Sequence, residues 1–210
     1  MNAFLSSSHE HSSSHEKSDE MSAVSSNETT IDYVRMLKIV KNIATRLLSM
    51  QTLSQDKVSA LFDVGCGTGY FTQTLSQHFP SSCVTGVDLA EGMIAYAKKH
   101  NGQNENGQYE NADRMRWCCA DAESLPYAGE VVDLVFSSFA MQWCSSLDVA
   151  LAECYRVLRP SGQLVFSIPG QGTLAELECS WAAADDETHV NTFASQQAVQ
   201  QKLQNAGFSQ

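Results

Sequence analysis

The chain has 210 residues, of which 43% are hydrophobic, and its 24 acidic against 13 basic residues give a net charge of -11 at pH 7. This length suits one domain with a sizeable core. The negative charge disfavours a protein that binds nucleic acid by neutralising phosphates. No apolar run approaches the roughly 20 residues that span a bilayer, so we expect a soluble protein.

The cysteine pattern indicates whether the chain holds a metal centre and whether its cellular compartment keeps thiols reduced. Seven cysteines are present, an odd number without any CxxC spacing, and Cys118 and Cys119 are adjacent. Such a pattern fits neither a disulfide framework nor a zinc site. We therefore expect reduced thiols, no metal centre and a cytoplasmic location.

The first 28 residues are dominated by serine, histidine and glutamate. This composition offers too little apolar surface to offset the entropy of ordering, so 1–28 is predicted to be a disordered tail. A transition metal could bind His9, His11 and His15, but a solvated low-complexity tail is the preferred interpretation. The folded domain is expected to cover 29–210.

A helix is predicted within 31–50. Apolar residues recur there at helical intervals, at Met36, Ile39, Val40, Ile43 and Leu47. The opposite side carries a basic cluster formed by Arg35, Lys38, Lys41 and Arg46. This cluster is either a solvated face or a docking surface for an acidic partner, and the solvated face is favoured.

From residue 60 onward, strand-like and helix-like segments alternate, which predicts parallel strands with helices on both faces of the sheet. A polar loop at 101–113 interrupts this alternation. The predicted strands are 60–64, 83–88, 116–120, 131–138 and 163–168. The predicted helices begin near Tyr70 and Glu91 and then cover about 146–157, 172–184 and 195–206.

The segment LFDVGCGTGYF, residues 61–71, places three glycines in the first turn from strand to helix. Ligands of open parallel sheets bind at the carboxyl ends of the strands. Glycines there let a ligand approach the backbone, and the next helix offers free N–H groups. The register is DxGxGxG rather than the dinucleotide GxGxxG, because position 70 is tyrosine. A pyrophosphate would be repelled by Asp63, whereas a zwitterionic or cationic ligand would not.

Two further acids follow the next two predicted strands. Asp88 ends VTGVDLA, where a carboxylate can accept hydrogen bonds from both ribose hydroxyls. Asp121 lies in CCADAESLP, where it can accept an adenine amino hydrogen while the Ala122 N–H meets a ring nitrogen. The three acids and the glycines together predict a pocket for a positively charged nucleoside without phosphate.

With these motifs the sequence resembles the class I S-adenosylmethionine-dependent methyltransferases. DVGCGTG, GVDLA, ADAESLP, VVDLVFSSFAMQW and VLRPSGQLVFS are similar to that family's successive motifs across 61–168. The resemblance implies a Rossmann-like α/β three-layer sandwich with a mostly parallel sheet. It also implies S-adenosylmethionine as co-substrate, bound by Asp63, Gly65, Cys66, Gly67, Gly69, Asp88, Leu89, Asp121, Ala122, Ser137 and Phe139.

A closer resemblance is to the malonyl-acyl carrier protein O-methyltransferases of biotin biosynthesis. It is carried by QWC at 142–144, by GTLAEL followed by Trp181, and by HVNTF at 189–193. The implied reaction methylates the free carboxylate of a malonyl thioester on acyl carrier protein or coenzyme A, an early step of biotin biosynthesis. Because a carboxylate is already ionised at pH 7, no catalytic acid or base is assigned. The implied substrate residues are Gln142, Trp143, His189 and Asn191.

Three alternatives stay open at this point. The acceptor could be another small molecule of quinone or sterol type, or the chain could bind S-adenosylmethionine without catalysis. An NAD-dependent oxidoreductase is disfavoured by the glycine register.

The family fold has seven strands, and NAGFSQ at 205–210 suggests the start of a sixth. We therefore expect a C-terminally incomplete domain without the last two strands and with the fifth strand as an apolar edge.

Overall fold

A computed structural model describes residues 38–101, 113–173, 175–176 and 193–209. The chain divides into two units, 1–42 and 43–210. In the first unit the described residues, 38–42, are helical. The tail predicted at 1–28 and the site candidates His189 and Asn191 lie outside the described residues.

The second unit is built on a five-stranded parallel sheet. Its strands are β1 (Ala60–Val64), β2 (Cys83–Asp88), β3 (Met115–Cys119), β4 (Val132–Ser138) and β5 (Leu158–Ser167). Their order is β3-β2-β1-β4-β5, and every pairing is parallel. The predicted α/β class is confirmed. The strand order reverses between β1 and β4, which is the position at which open parallel sheets form a ligand crevice.

Helices cover both faces of this sheet. Residues 43–50 form α1, followed by α2 (Tyr70–His78), α3 (Glu91–His100), α4 (Leu147–Val157) and α5 (Gln196–Ala206). One core packs α1 and α2 residues against Leu61, Val84 and Leu134. The other packs α4 residues against Phe62, Val87 and Val135. Since side chains alternate between the faces of a strand, each central strand contributes to both cores.

Buried positions in the first helical segment differ in part from the prediction. Leu47 is buried as expected, together with Ala44. Ile39, which the periodicity assigned to the buried side, is 59% exposed. Helical spacing identifies an apolar face, but it does not say which turns of that face meet another surface. No helix within the described residues is long and apolar enough to cross a membrane.

The last strand differs from expectation, whereas the last helix, predicted at 195–206, agrees with α5 (Gln196–Ala206). β5 begins at Leu158, five residues before the predicted start, and includes Pro160. Proline is tolerated there because β5 pairs only with β4 within the described part of the chain, so it is an edge strand. The predicted start of a sixth strand is wrong for 205–209. α5 continues to Ala206, Gly207 ends it with φ +104°, and no strand follows to residue 209.

The amino ends of three strands are joined by Asp133. Its Oδ2 accepts hydrogen bonds from the Ser59 N–H at 2.7 Å and the Ala60 N–H at 3.1 Å. Both of its oxygens also accept from Arg159 Nη1, at 2.8 and 2.9 Å. Arg159 lies in β5 and Asp133 in β4, so this cluster links β1, β4 and β5. Hydrogen bonds from Arg159 and Ser59 lower the pKa of Asp133 against the opposing effect of burial.

Asp133→Asn is expected to lower the free energy of unfolding at pH 7 by about 1.5 to 3 kcal/mol, the range for hydrogen bonds to a charged group. Because the folded-state pKa is lowered, this stabilisation is present above the ordinary aspartate pKa of about 3.9 and is lost as the pH falls below it. The difference between parent and variant should therefore shrink in acid. Urea denaturation at several pH values measures it, with the exposed Asp56→Asn as the control. A pH-independent difference would contradict the assignment.

Candidate active site

The turn between β1 and α2 has a backbone that requires glycine. Gly65, Gly67 and Gly69 have φ values of +75°, +54° and +84°. The N–H groups of Gly65 and Cys66 both donate to the Val87 carbonyl, at 2.7 and 3.0 Å. These bonds bring the turn against the end of β2. Left-handed φ values are costly for residues with a Cβ, so the three glycines follow from the backbone path.

The glycines differ in the space around them. A Cβ on Gly65 would lie 2.0 Å from the Ala140 Cβ, and one on Gly69 would lie 2.4 Å from the Trp117 ring. A Cβ on Gly67 would have no atom of the described residues within 4 Å. Gly65 and Gly69 are therefore needed for packing inside the protein, whereas Gly67 faces open space where a ligand could meet the backbone.

Asp88 binds the glycine turn directly. Its Oδ2 accepts from the Gly67 N–H at 2.7 Å, and its Oδ1 accepts from the Ala90 N–H at 2.9 Å. The carboxylate thus links the turn to the start of α3. An ionised carboxylate has about four acceptor positions, so it can also accept hydrogen bonds from a ligand while it holds both amides.

The turn after β3 lines the candidate site opposite the glycine turn. Asp121 is exposed, and its Oδ1 accepts from the Glu123 N–H at 2.9 Å. Glu123 Oε1 in turn accepts from the N–H groups of Ser145 and Ser146, at 2.5 and 3.2 Å. Glu123 therefore fixes the segment before α4 against the turn that carries Asp121 and Ala122.

A pocket of about 190 Å³ lies between these turns. Of the residues expected to bind ligand, Gly65, Asp88, Leu89, Asp121, Ala122 and Trp143 line it. The remaining lining residues had not been identified from the sequence: Val64, Val87, Ala120, Glu123, Ala140, Met141, Cys144 and Ser145. Leu89 and Trp143 are 70% and 73% exposed. Two large apolar side chains therefore border a pocket whose polar groups are mainly carboxylates.

Other predicted residues lie beside the pocket without lining it. Asp63 is 2% exposed, and its Oδ2 accepts a 2.6 Å hydrogen bond from Thr72 Oγ1. Cys66 is buried, and burial raises the pKa of its thiol. Gly67 and Gly69 complete the turn itself. The Asp63 and Cys66 side chains lie under the turn, whereas the backbone at Gly67 faces the open side.

The junction after β4 holds the remaining candidates. Phe139 has φ +52°, which is unusual for a residue with a side chain. Its carbonyl accepts a 2.7 Å hydrogen bond from Gln142 Nε2. The buried Ser137 Oγ and Gln142 Oε1 have no hydrogen-bond partner among the described residues. Backbone strain and unpaired buried polar atoms are concentrated at functional sites, and Ala140 and Met141 in this junction line the pocket.

A larger groove, of about 730 Å³, lies at the amino ends of β4 and β5. Arg156 and Arg159 line it, but both have internal partners. Arg156 binds Glu153 at 2.6 Å and the carbonyls of Tyr127 and Leu125 at 2.7 and 3.0 Å. Arg159 binds Asp133. These arginines join secondary-structure elements at the amino ends of the strands, whereas the glycine turn lies at their carboxyl ends.

The chemistry available in the pocket is limited. Its titratable lining groups are Asp88, Asp121, Glu123 and Cys144. Burial, with smaller effects from Glu123 and Asp121, raises the pKa of the Cys144 thiol to about 11. A thiol that is neutral at pH 7 is a weak nucleophile. Within the described residues no cluster of side chains could hold a metal ion. The arrangement suits binding and positioning of a ligand that brings its own reactive group.

The sequence matches the family described as methyltransferase domain over residues 62–166. It is 46% identical over 149 residues to a malonyl-[acyl-carrier protein] O-methyltransferase of Methylococcus capsulatus, covering 71% of this chain and 51% of that protein. It is 34% identical over 175 residues to the biotin biosynthesis bifunctional protein BioHC of Cellvibrio japonicus, covering 83% of this chain and 32% of that protein. The chain thus spans about half or less of the length of these curated relatives.

The fold agrees with this match. A crystal structure of a putative methyltransferase from Bacillus halodurans superposes with a TM-score of 0.63 at 20% identity, covering 79% of this chain and 68% of that one. The matched family segment begins within β1 and ends within β5, so it contains the glycine turn and all of the parallel sheet except Ala60, Leu61 and Ser167. The chain therefore belongs to the methyltransferase domain family.

Proposed function

We propose that this chain transfers a methyl group from S-adenosylmethionine to the free carboxylate of a malonyl thioester on acyl carrier protein. The main support is the 46% identity to the Methylococcus capsulatus relative, whose name states this acceptor. The reaction would belong to biotin biosynthesis, the process named for the Cellvibrio japonicus relative.

The described residues suit the co-substrate. Asp88 has acceptor positions for the ribose hydroxyls beyond those used by Gly67 and Ala90. Leu89 and Ala122 offer apolar surfaces to the adenine, and Asp121 offers an acceptor for its amino group. The open space above Gly67 leaves the turn free to carry the methionine part. When bound, the sulfonium of S-adenosylmethionine supplies an activated methyl group.

The acceptor chemistry requires little from the protein. A malonyl carboxylate is ionised at pH 7 and is itself the nucleophile. The protein must therefore align the carboxylate with the methyl group and exclude water. This requirement agrees with a pocket that has no nucleophile and base pair among its described residues. Trp143 at the pocket rim and Gln142 in the adjoining junction are proposed to contact the acceptor, together with His189 and Asn191 of HVNTF.

Intact mass spectrometry tests this function directly. Malonyl-acyl carrier protein is incubated with the chain and S-adenosylmethionine, and acetyl-acyl carrier protein, which lacks a free carboxylate, is the control. We expect a mass gain of one methyl group on the malonyl form alone. Malonyl-coenzyme A in a parallel reaction shows whether the carrier protein is required. No gain on either malonyl thioester, with S-adenosylmethionine bound by calorimetry, would overturn the proposed acceptor and favour another acceptor or binding without catalysis.

A further inference from the structure

Asp63 and Thr72 form a buried pair under the glycine turn. Asp63 is the penultimate residue of β1 and is 2% exposed, and Thr72, in the first turn of α2, is fully buried. The 2.6 Å hydrogen bond between them joins the strand before the turn to the helix after it. The pair is therefore placed to fix the turn and to act on a ligand above it through charge.

The surroundings of Asp63 provide no positive charge within the described residues. The titratable groups that interact with it are Asp88 at the end of β2 and the Cys66 thiol in the turn. α2 faces it with the Thr72 hydroxyl, and the strand register places Phe136 of β4 and Gly86 of β2 beside it. Among the described residues, a charged Asp63 thus has a hydrogen-bond donor but no ion-pair partner.

The protonation state of Asp63 changes near neutral pH. Burial raises its pKa to about 7, with a smaller increase from Asp88, although the hydrogen bond from Thr72 acts in the opposite direction. A cation bound above the turn would stabilise the ionised form and lower this pKa. Since a carboxyl group titrating near pH 7 is only partly ionised, such binding would displace a proton.

The reaction changes the charge of the ligand at this place. During methyl transfer the bond from sulfur to the methyl carbon breaks and a bond from carboxylate oxygen to that carbon forms. The sulfonium becomes a neutral thioether, and the acceptor carboxylate becomes a neutral ester. An ionised carboxylate near the turn therefore attracts the co-substrate more strongly than the demethylated product, because only the co-substrate carries the sulfonium charge.

We propose that Asp63, held in place by Thr72, makes the site prefer the sulfonium co-substrate over the thioether product and couples co-substrate binding to release of a proton. The proposal rests on the proposed co-substrate but not on the malonyl acceptor. Affinity for S-adenosylmethionine should rise with pH as Asp63 ionises, and affinity for S-adenosylhomocysteine should rise less. Thr72 acts as a positioning residue, because its hydroxyl favours the ionised carboxylate.

Calorimetry of the unmodified chain provides the first test. Binding of S-adenosylmethionine and of S-adenosylhomocysteine is measured at pH 7 in two buffers with different ionisation enthalpies, which gives the number of protons released. Both ligands carry the same amino and carboxylate groups, so the difference between them reports on the sulfonium. We expect more proton release with S-adenosylmethionine. Equal release for the two ligands would overturn the proposal.

Two variants extend the test. Asp63→Asn is expected to remove the difference in proton release and to lower the affinity ratio of co-substrate to product about tenfold, the factor that corresponds to one pKa unit. Thr72→Val should move the rise in S-adenosylmethionine affinity to higher pH, and Thr72→Ser should restore it. An unchanged ratio in a folded Asp63→Asn protein would overturn the proposal.

The outcomes separate this inference from the proposed function. Proton-linked, sulfonium-selective binding without methylation of malonyl-acyl carrier protein would count against the proposed acceptor and support the role of Asp63. Methylation of that acceptor with equal proton release for both ligands would support the proposed acceptor and overturn the role of Asp63. No binding of S-adenosylmethionine by the parent chain would overturn both.

Discussion

Gly65→Ala is expected to lower the free energy of unfolding by about 2 to 5 kcal/mol. The new Cβ would lie 2.0 Å from the Ala140 Cβ, so the backbone must shift. Overpacking in a tight site costs about 1 to 3 kcal/mol, and the left-handed conformation at φ +75° adds about 1 to 2 kcal/mol. Urea denaturation followed by circular dichroism measures the loss.

The matched control is Gly67→Ala in the same turn. Its φ of +54° imposes a similar strain, but its Cβ would meet no atom of the described part of the chain within 4 Å, so the expected loss is only about 1 to 2 kcal/mol. Combining Gly65→Ala with Ala140→Gly should recover part of the lost stability, because the clashing methyl group is removed. Equal losses for the two alanine variants, with no recovery in the double variant, would show that the turn and the junction after β4 do not touch.

Asp88→Ala is expected to weaken S-adenosylmethionine binding by about 1.5 to 3 kcal/mol, which is roughly tenfold to 150-fold in affinity. The variant loses the carboxylate proposed to hold the ribose. It also leaves the N–H groups of Gly67 and Ala90 without their acceptor. In the absence of ligand, the turn should then lose the conformation that these two hydrogen bonds hold in the parent protein. Titration calorimetry measures the affinity.

Amide hydrogen exchange in the absence of ligand separates the two contributions. If Asp88 organises the turn, the amide of Gly67 should exchange faster in Asp88→Ala than in the parent. Asp148→Ala is the control, because Asp148 is a surface aspartate of α4 whose carboxylate binds Lys202. Parent-like affinity in Asp88→Ala would mean that the ribose binds elsewhere. Weakened affinity with unchanged exchange would leave Asp88 with only a ligand-binding role.

The strand and helix pattern was predictable because it depends on local sequence. Apolar segments of strand length alternate with amphipathic segments of helix length, and this alternation defines a parallel sheet. The predicted bounds of β1 and β2 agree with the structure, and β3 begins one residue earlier than expected. The prediction was wrong where tertiary context decided the outcome, as at Pro160, which an edge strand accommodates. The predicted sixth strand is also not formed at 207–209, although the predicted end of the last helix at residue 206 agrees with α5.

The sequence by itself determined that a glycine turn and the acids Asp88 and Asp121 would meet at one edge of the sheet, because parallel strands end at the same side. Only the tertiary structure decided what each group does there. It directs Asp63 below the turn toward Thr72, places Ala140 against Gly65, and engages Asp88 with two backbone amides before any ligand binds. It also gives Arg156 and Arg159 internal partners. The contacts of Gly65 with Ala140, of Asp88 with Gly67 and of Arg159 with Asp133 join residues more than 20 positions apart in the chain. Their distances depend on how strands and helices pack, which local spacing does not encode.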